Sequence, residues 1–324
     1  MITLEQTVDC IYDSPMRRFG LTCGALPGSL LLLTLACATT QPPAPPLPPP
    51  MQVLGEWGQP GDGPGQMNVP VSLAADSDGL VYVADAGSGF VNKFDWNGQA
   101  LHSFSHPRMQ RPSGIAVDRG GAIYVADYSA ERVFVFFPDG KLLREMRGAP
   151  SQPFRGPAGV AVDDDGFLYV LEFDAARIQK FDPRGGFVAA WGKEGAGPGE
   201  FNFPADIAVG PDGLLYVADT HSARVQKFTR DGEFLATWET AAQPGALADA
   251  TGIAVTDKWV FVADSLAMRV QAWDLTGAPR HTDALGDSFR DAYETPTDVA
   301  IGKSGELLVL DPARPRVLRV RVNF

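Results

Sequence analysis

Few side chains in this sequence have types and spacings suited to chemistry. Asp206 and Asp298 stand at equivalent places, each two residues after a proline in PAD (204–206) and PTD (296–298). Two carboxylates so placed are hard oxygen donors, and with Asp219, Asp264 or backbone carbonyls they would suit a calcium ion. Imidazole is scarce: His102, His106, His221 and His281 are scattered singly, whereas zinc needs several convergent imidazoles or thiolates. The three thiols, Cys10, Cys23 and Cys37, all precede residue 40, so the rest of the chain has neither a disulfide nor a thiolate metal site. No Ser-His-Asp arrangement or nucleophile elbow is visible. The runs GDGPG (61–65) and GAGPG (195–199) lack the Lys-Ser/Thr sequel and following helix of a phosphate loop, and read as connections between strands.

The elements that must position these residues are short strands. Residues 205–238, ADIAVGPDGLLYVADTHSARVQKFTRDGEFLATW, read as four strands split by turn formers. The pattern recurs. VYVAD ends at Asp85, IYVAD at Asp127, LYVLE at Glu172, LYVAD at Asp219, VFVAD at Asp264 and LLVLD at Asp311, at spacings of 42 to 47 residues. Five residues after each acid come Phe90, Arg132, Arg177, Arg224, Arg269 and Arg316, opening the third strand. Upstream, first strands begin near Pro70, Pro112, Pro157, Pro204, Ala250 and Pro296. Such a period marks a repeat architecture. An acid and an arginine recurring at the two ends of one hairpin turn predict a pair that holds the repeat's own geometry.

On these landmarks residues 51–324 resemble the NHL-repeat family, whose units are the blades of a six-bladed β-propeller. The resemblance implies an all-β fold of six four-stranded blades. Departures are Phe90 for Arg, Glu172 for Asp, and TDKW (256–259) without a glycine turn. Closure of the ring is legible: WGQPGDGPGQMNVP (57–70) matches WGKEGAGPGEFNFP (191–204) position for position. The segment before it, QVLGEW (52–57), is therefore a fourth strand without a blade. The sixth copy ends at its third strand, RVLRVRVNF. The N-terminal strand must complete the last blade, which removes two exposed sheet edges. Related peptidyl-hydroxyglycine lyases place zinc-binding histidines near the first-strand starts. The matching residues here are Val71, Ser113, Ala158, Ala205, Thr251 and Thr297, with no histidine among them. Of the four histidines only His221, two residues past Asp219, falls on a loop facing the mouth. His102 and His106 are expected after the fourth strand of the first blade, and His281 at the corresponding place in the fifth. The loops after the second strands differ from blade to blade, and Tyr128, Phe173, Leu266 and Met268 put apolar side chains on one mouth, the composition of a surface for a protein or peptide.

Length and charge bound the rest. The chain has 324 residues with 35 Gly, 27 Pro and a formal net charge of −12. An acidic surface repels phosphate, which argues against nucleic acid and anionic headgroups as partners. Residues 1–36 form an export signal, with the true start expected at Met16: Arg17 and Arg18 precede the apolar run Leu30–Leu35 and the small Ala36. Cys37 then resembles the lipidated cysteine of bacterial lipoproteins, although Thr34 and Leu35 depart from the usual residues. Pro-rich residues 37–50 read as a stiff polyproline II tether. The expectation is a monomeric, non-catalytic binding propeller held at the bacterial cell envelope through a lipid anchor, without a cofactor. The alternative is a calcium-dependent lyase, lactonase or hydrolase on the same fold.

Overall fold

The computed structural model describes residues 51–239, 247–281 and 294–323. The export signal, Cys37 and the Pro-rich tether lie outside the described residues. Six four-stranded antiparallel sheets follow one another along the chain. The first blade comprises Pro70–Ala75, Val81–Asp85, Phe90–Phe94 and Ala100–Phe104, and the next four repeat this order up to the short strand Pro279–His281. The sixth blade takes Asp298–Ile301, Leu307–Asp311 and Arg316–Val322 from the C-terminal end, and its fourth strand is Met51–Trp57. Among the described residues the only helical element is the single 3-10 turn Thr220–Ser222.

The apolar runs explain the stacking. Val81–Asp85, Ile123–Asp127, Leu168–Glu172, Leu215–Asp219 and Leu307–Asp311 are buried at every residue, since a central strand is covered on both faces by neighbouring blades. Six apolar clusters result, one between each adjacent pair of blades. The sixth packs Leu73, Val81 and Val83 of blade one on Leu308, Leu310 and Val317 of blade six, so the ring is closed by core as well as by backbone. Fully burying one such Val or Leu is worth about 1.5–3 kcal/mol. The clusters thus hold the blades without a disulfide.

Closure occurs where the sequence places it. The strand Met51–Trp57 runs antiparallel to Arg316–Val322, with Met51 opposite Val322 and Trp57 opposite Val317. The Trp57 end therefore lies beside the turn that precedes Arg316. That end of the ring, where second strands turn into third strands and the chain enters each first strand, is the mouth. Met51 lies at the other end.

The repeated acids hold the blade together. Asp85 accepts the backbone N–H of Asn68 at 2.7 Å and of Val69 at 2.8 Å, pinning the crossover that leads into its own blade. Asp127 does the same for Gln110 and Arg111, Glu172 for Arg155, Asp219 for Asn202, Asp264 for Asp249, and Asp311 for Glu294 and Thr295. All six acids are buried, and these bonds satisfy amides that would otherwise be orphaned. The expected acid–arginine pair forms in blades three to six: Arg177–Glu172, Arg224–Asp219 at 2.7 Å, Arg269–Asp264 and Arg316–Asp311. Blade two differs from expectation. Arg132 reaches Glu145 of the fourth strand at 3.9 Å, while Asp127 takes the amides of Gln110, Arg111 and Ala130. A second repeated pair was not legible in advance. Tyr82, Tyr124, Tyr169 and Tyr216 donate to Asp76, Asp118, Asp163 and Asp212 of the first hairpin turn at 2.7–3.1 Å.

Candidate functional site: an aromatic rim at the channel mouth

The first strands line a central cavity of about 220 Å³ that holds Asp206 and Asp298. Their oxygens are already engaged. Asp298 Oδ2 accepts the Leu73 N–H at 2.8 Å and Oδ1 the Val299 N–H at 2.7 Å. Asp206 Oδ2 accepts the Ile253 N–H at 3.0 Å and Oδ1 the Ile207 N–H at 2.8 Å. Each carboxylate thus ties its own blade to the next: four to five through Asp206, six to one through Asp298. Ser72, at the same place in blade one, accepts the Ile115 N–H of blade two. Glycine fills this position in the other blades because the neighbour comes too close. A Cβ on Gly252 would lie 2.5 Å from both the Cα and Oδ1 of Asp298.

The other two acids named with this pair as oxygen donors are engaged elsewhere. Asp219 and Asp264 are bound to amides and arginines, and among the described residues no three His, Cys, Asp or Glu side chains converge for a metal. Burial pushes the Asp298 carboxyl up to about 7. Burial, and then repulsion from Asp298, raises Asp206 well above the ordinary carboxylate range. A desolvated carboxyl favours its neutral form, so the pair titrates together within the channel wall.

The mouth is different in character. Phe173 stands beside Phe203 with ring centroids 5.0 Å apart, and Phe203 beside His221 at 4.8 Å. Tyr128 meets the edge of Phe173 at 6.2 Å. The four rings form one strip across blades two to four, each supplied by a loop. Tyr128 is fixed from both sides: its hydroxyl donates to Asp174 at 2.9 Å, and the Arg111 guanidinium lies 5.6 Å from its ring centroid. Gly156 makes room for this contact, since a Cβ there would lie 2.9 Å from the Tyr128 ring and 2.7 Å from Asp174, at a φ of +59°. On blade five Leu266 and Met268 are 72% and 56% exposed, more than any other large apolar side chain of the described chain.

Sequence reasoning placed Tyr128, Phe173, His221 and Met268 on this mouth but missed Phe203. The residue is 39% exposed and its φ is +51°, a left-handed conformation that is a genuine outlier for a bulky residue. The available signal was its place in the repeat. The residue before the first strand's first landmark is Val69, Arg111, Gly156, Phe203, Asp249 or Thr295, and no two blades agree. His102 lies inside a fourth strand, Ala100–Phe104, and not after it; only His106 follows that strand.

A ring of six four-stranded blades with a lined central channel defines a six-bladed β-propeller. Residues 109–136, 154–181 and 201–228 match the NHL repeat model. These are blades two, three and four from the crossover to the end of the third strand, and three such matches within a six-bladed ring support an NHL-repeat propeller. No curated protein matches it by sequence. Among solved structures it is similar in fold to a streptogramin B lyase, with a TM-score of 0.59 at 15% identity over 79% of this chain and 94% of that one. It is also similar to a catalytically inactive virginiamycin B lyase of Staphylococcus aureus with quinupristin, with a TM-score of 0.60 at 15% identity over 78% and 80% of the two chains. A nidogen/laminin complex gives a TM-score of 0.52 at 18% identity, over 65% and 78%. These likenesses concern the fold alone.

Proposed function

We propose that this chain is an exported, lipid-anchored propeller of the bacterial envelope that works as a monomeric binding scaffold, engaging a protein or peptide through its aromatic rim. The observation that carries the reading is Phe203. Holding a bulky residue in a left-handed conformation costs about 1–3 kcal/mol, and such strain clusters at functional sites. Here it presents a half-exposed ring against Phe173 and His221, where no interior is filled by it. Exposed apolar groups gathered on one end of a rigid ring, bordered by Arg111 and Asp174, have the composition of an interface. The acidic balance of the chain favours a protein over nucleic acid. The pattern of residues 16–37 supports export and lipidation at Cys37, with contact to the membrane through that lipid only.

The test is site-directed photocrosslinking in the envelope of the producing cell. A benzophenone amino acid at Phe203 should give a discrete adduct that the same group at Leu235, on a fourth strand, does not. Identical products from both positions, or none from Phe203, would reject the reading.

A further inference from the structure

The rim is uneven in charge as well as shape. The arginines that open third strands in blades three to six are bound by the acid of their own blade. Arg111 and Arg155 stand on the crossovers of blades two and three, both exposed, and among the described residues neither guanidinium has a carboxylate partner. Arg111 borders a cavity of about 290 Å³ walled by Val71, Ala86, Pro112, Tyr128 and Phe173. The hydroxyls of that wall are engaged elsewhere, Ser113 with the Pro157 carbonyl at 2.8 Å and Tyr128 with Asp174 at 2.9 Å. The cavity therefore offers apolar walls and one unpaired cation at its edge.

We infer that this cavity receives an aromatic or branched aliphatic side chain of an extended peptide whose adjacent aspartate or glutamate pairs with Arg111. This rests on the binding reading of the rim and names the chemistry it selects. The volume lies at the lower limit for small-molecule pockets, which suits one large side chain. The aromatic strip continues from Phe173 to Phe203 and His221, so the bound segment runs on across blades three and four and does not end at the cavity. Arg111 is pre-organised for a carboxylate. Its guanidinium stacks on Tyr128, and Tyr128 is held by Asp174, so little freedom is lost when the charge-assisted bond forms. A nucleic acid would need a track of cations at phosphate spacing, and Asp174 and Asp249 interrupt one on the same rim.

The experiment uses the full chain and fluorescein-labelled heptapeptide pools, read by fluorescence anisotropy. One pool carries a central Asp followed by Phe or Leu, a second replaces that Asp by Asn, and a third replaces the Phe or Leu by Ala. A labelled oligouridylate is the fourth probe. The Asp-apolar pool should bind at least tenfold tighter than the Asn and Ala pools. Arg111→Gln should erase the Asp-over-Asn preference with little change in melting temperature, since that side chain is exposed and among the described residues has no carboxylate partner. Equal binding of the Asp and Asn pools, lost in Phe203→Ser, would overturn the pairing with Arg111 and leave the rim as a binding face. Absence of binding by every pool would overturn the inference alone if the Phe203 crosslink succeeds, and the binding reading with it if the crosslink fails. Tighter retention of oligouridylate than of any peptide would overturn it in favour of nucleic acid.

Discussion

The carboxylate of Asp298 accepts the backbone N–H of Leu73 at 2.8 Å, across 225 positions of sequence. It is a polar tie between the last blade and the first, set at the channel wall where the closing strand, on the outside of the ring, cannot reach. Asp298→Ala orphans that amide and the Val299 N–H, and an unsatisfied buried donor costs about 1–3 kcal/mol. The midpoint of urea unfolding should fall accordingly, with an unchanged slope.

The same residue predicts a pH dependence of unusual sign. The folded Asp298 carboxyl is raised to about 7, whereas an unfolded one titrates near 4. Between these values the folded state holds a proton that the unfolded state has released. Its contribution to stability is therefore fully present below about pH 4 and is lost as pH rises towards 7. Asp206 is raised too and acts in the same direction. Unfolding midpoints measured from pH 4 to 8 should decline across this window in the wild-type chain and flatten in Asp206→Asn/Asp298→Asn.

Equivalent arginines should not be equivalent in energy. Arg224 is 4% exposed, meets a fully buried Asp219, and also donates to the carbonyls of Ala196, Gly197 and Glu200. Removing one partner of a buried pair costs about 3–5 kcal/mol, so Arg224→Met should lower the melting temperature sharply. Among the described residues the one ion pair of Arg132 is a long contact with Glu145 at 3.9 Å, and Arg132→Met should cost under about 1 kcal/mol, as partly exposed pairs do.

Phe203→Gly separates stability from binding. Glycine relieves the left-handed backbone and gives up the ring contacts with Phe173 and His221. Thermal unfolding should shift by no more than about 1 kcal/mol in either direction, while capture of a partner at the rim is lost.

Cys37 lies outside the described residues, and its lipidation is open to direct test. Globomycin should cause a larger precursor to accumulate. Cys37→Ser should change the mass of the mature chain by the loss of its lipid and release the protein from the membrane fraction.

The fold was legible because it is periodic. Six copies of an apolar run ending in an acid mark the buried second strands, and the match of 57–70 to 191–204 places the closing strand. The site was less legible, for a physical reason. Repetition reports what every blade needs, such as Asp219 holding the Asn202 amide, whereas function lies where blades differ and no internal comparison exists. Asp206 and Asp298 looked like free ligands because their departure from glycine was visible and their engagement with Ile253 and Leu73, in neighbouring blades, was not. Phe203 was passed over because a residue beside a proline reads as connection, and its positive φ has no trace in sequence.

The register of the closing strand has a practical consequence. Met51 pairs with Val322 at the end of the ring remote from the mouth, about 20 Å away for a seven-residue strand at roughly 3.3 Å per residue. A handle joined ahead of residue 51 therefore leaves the aromatic rim unobstructed. The propeller can be captured on a solid support by its N-terminal side and still offer Phe203, Tyr128 and Arg111 to whatever flows past.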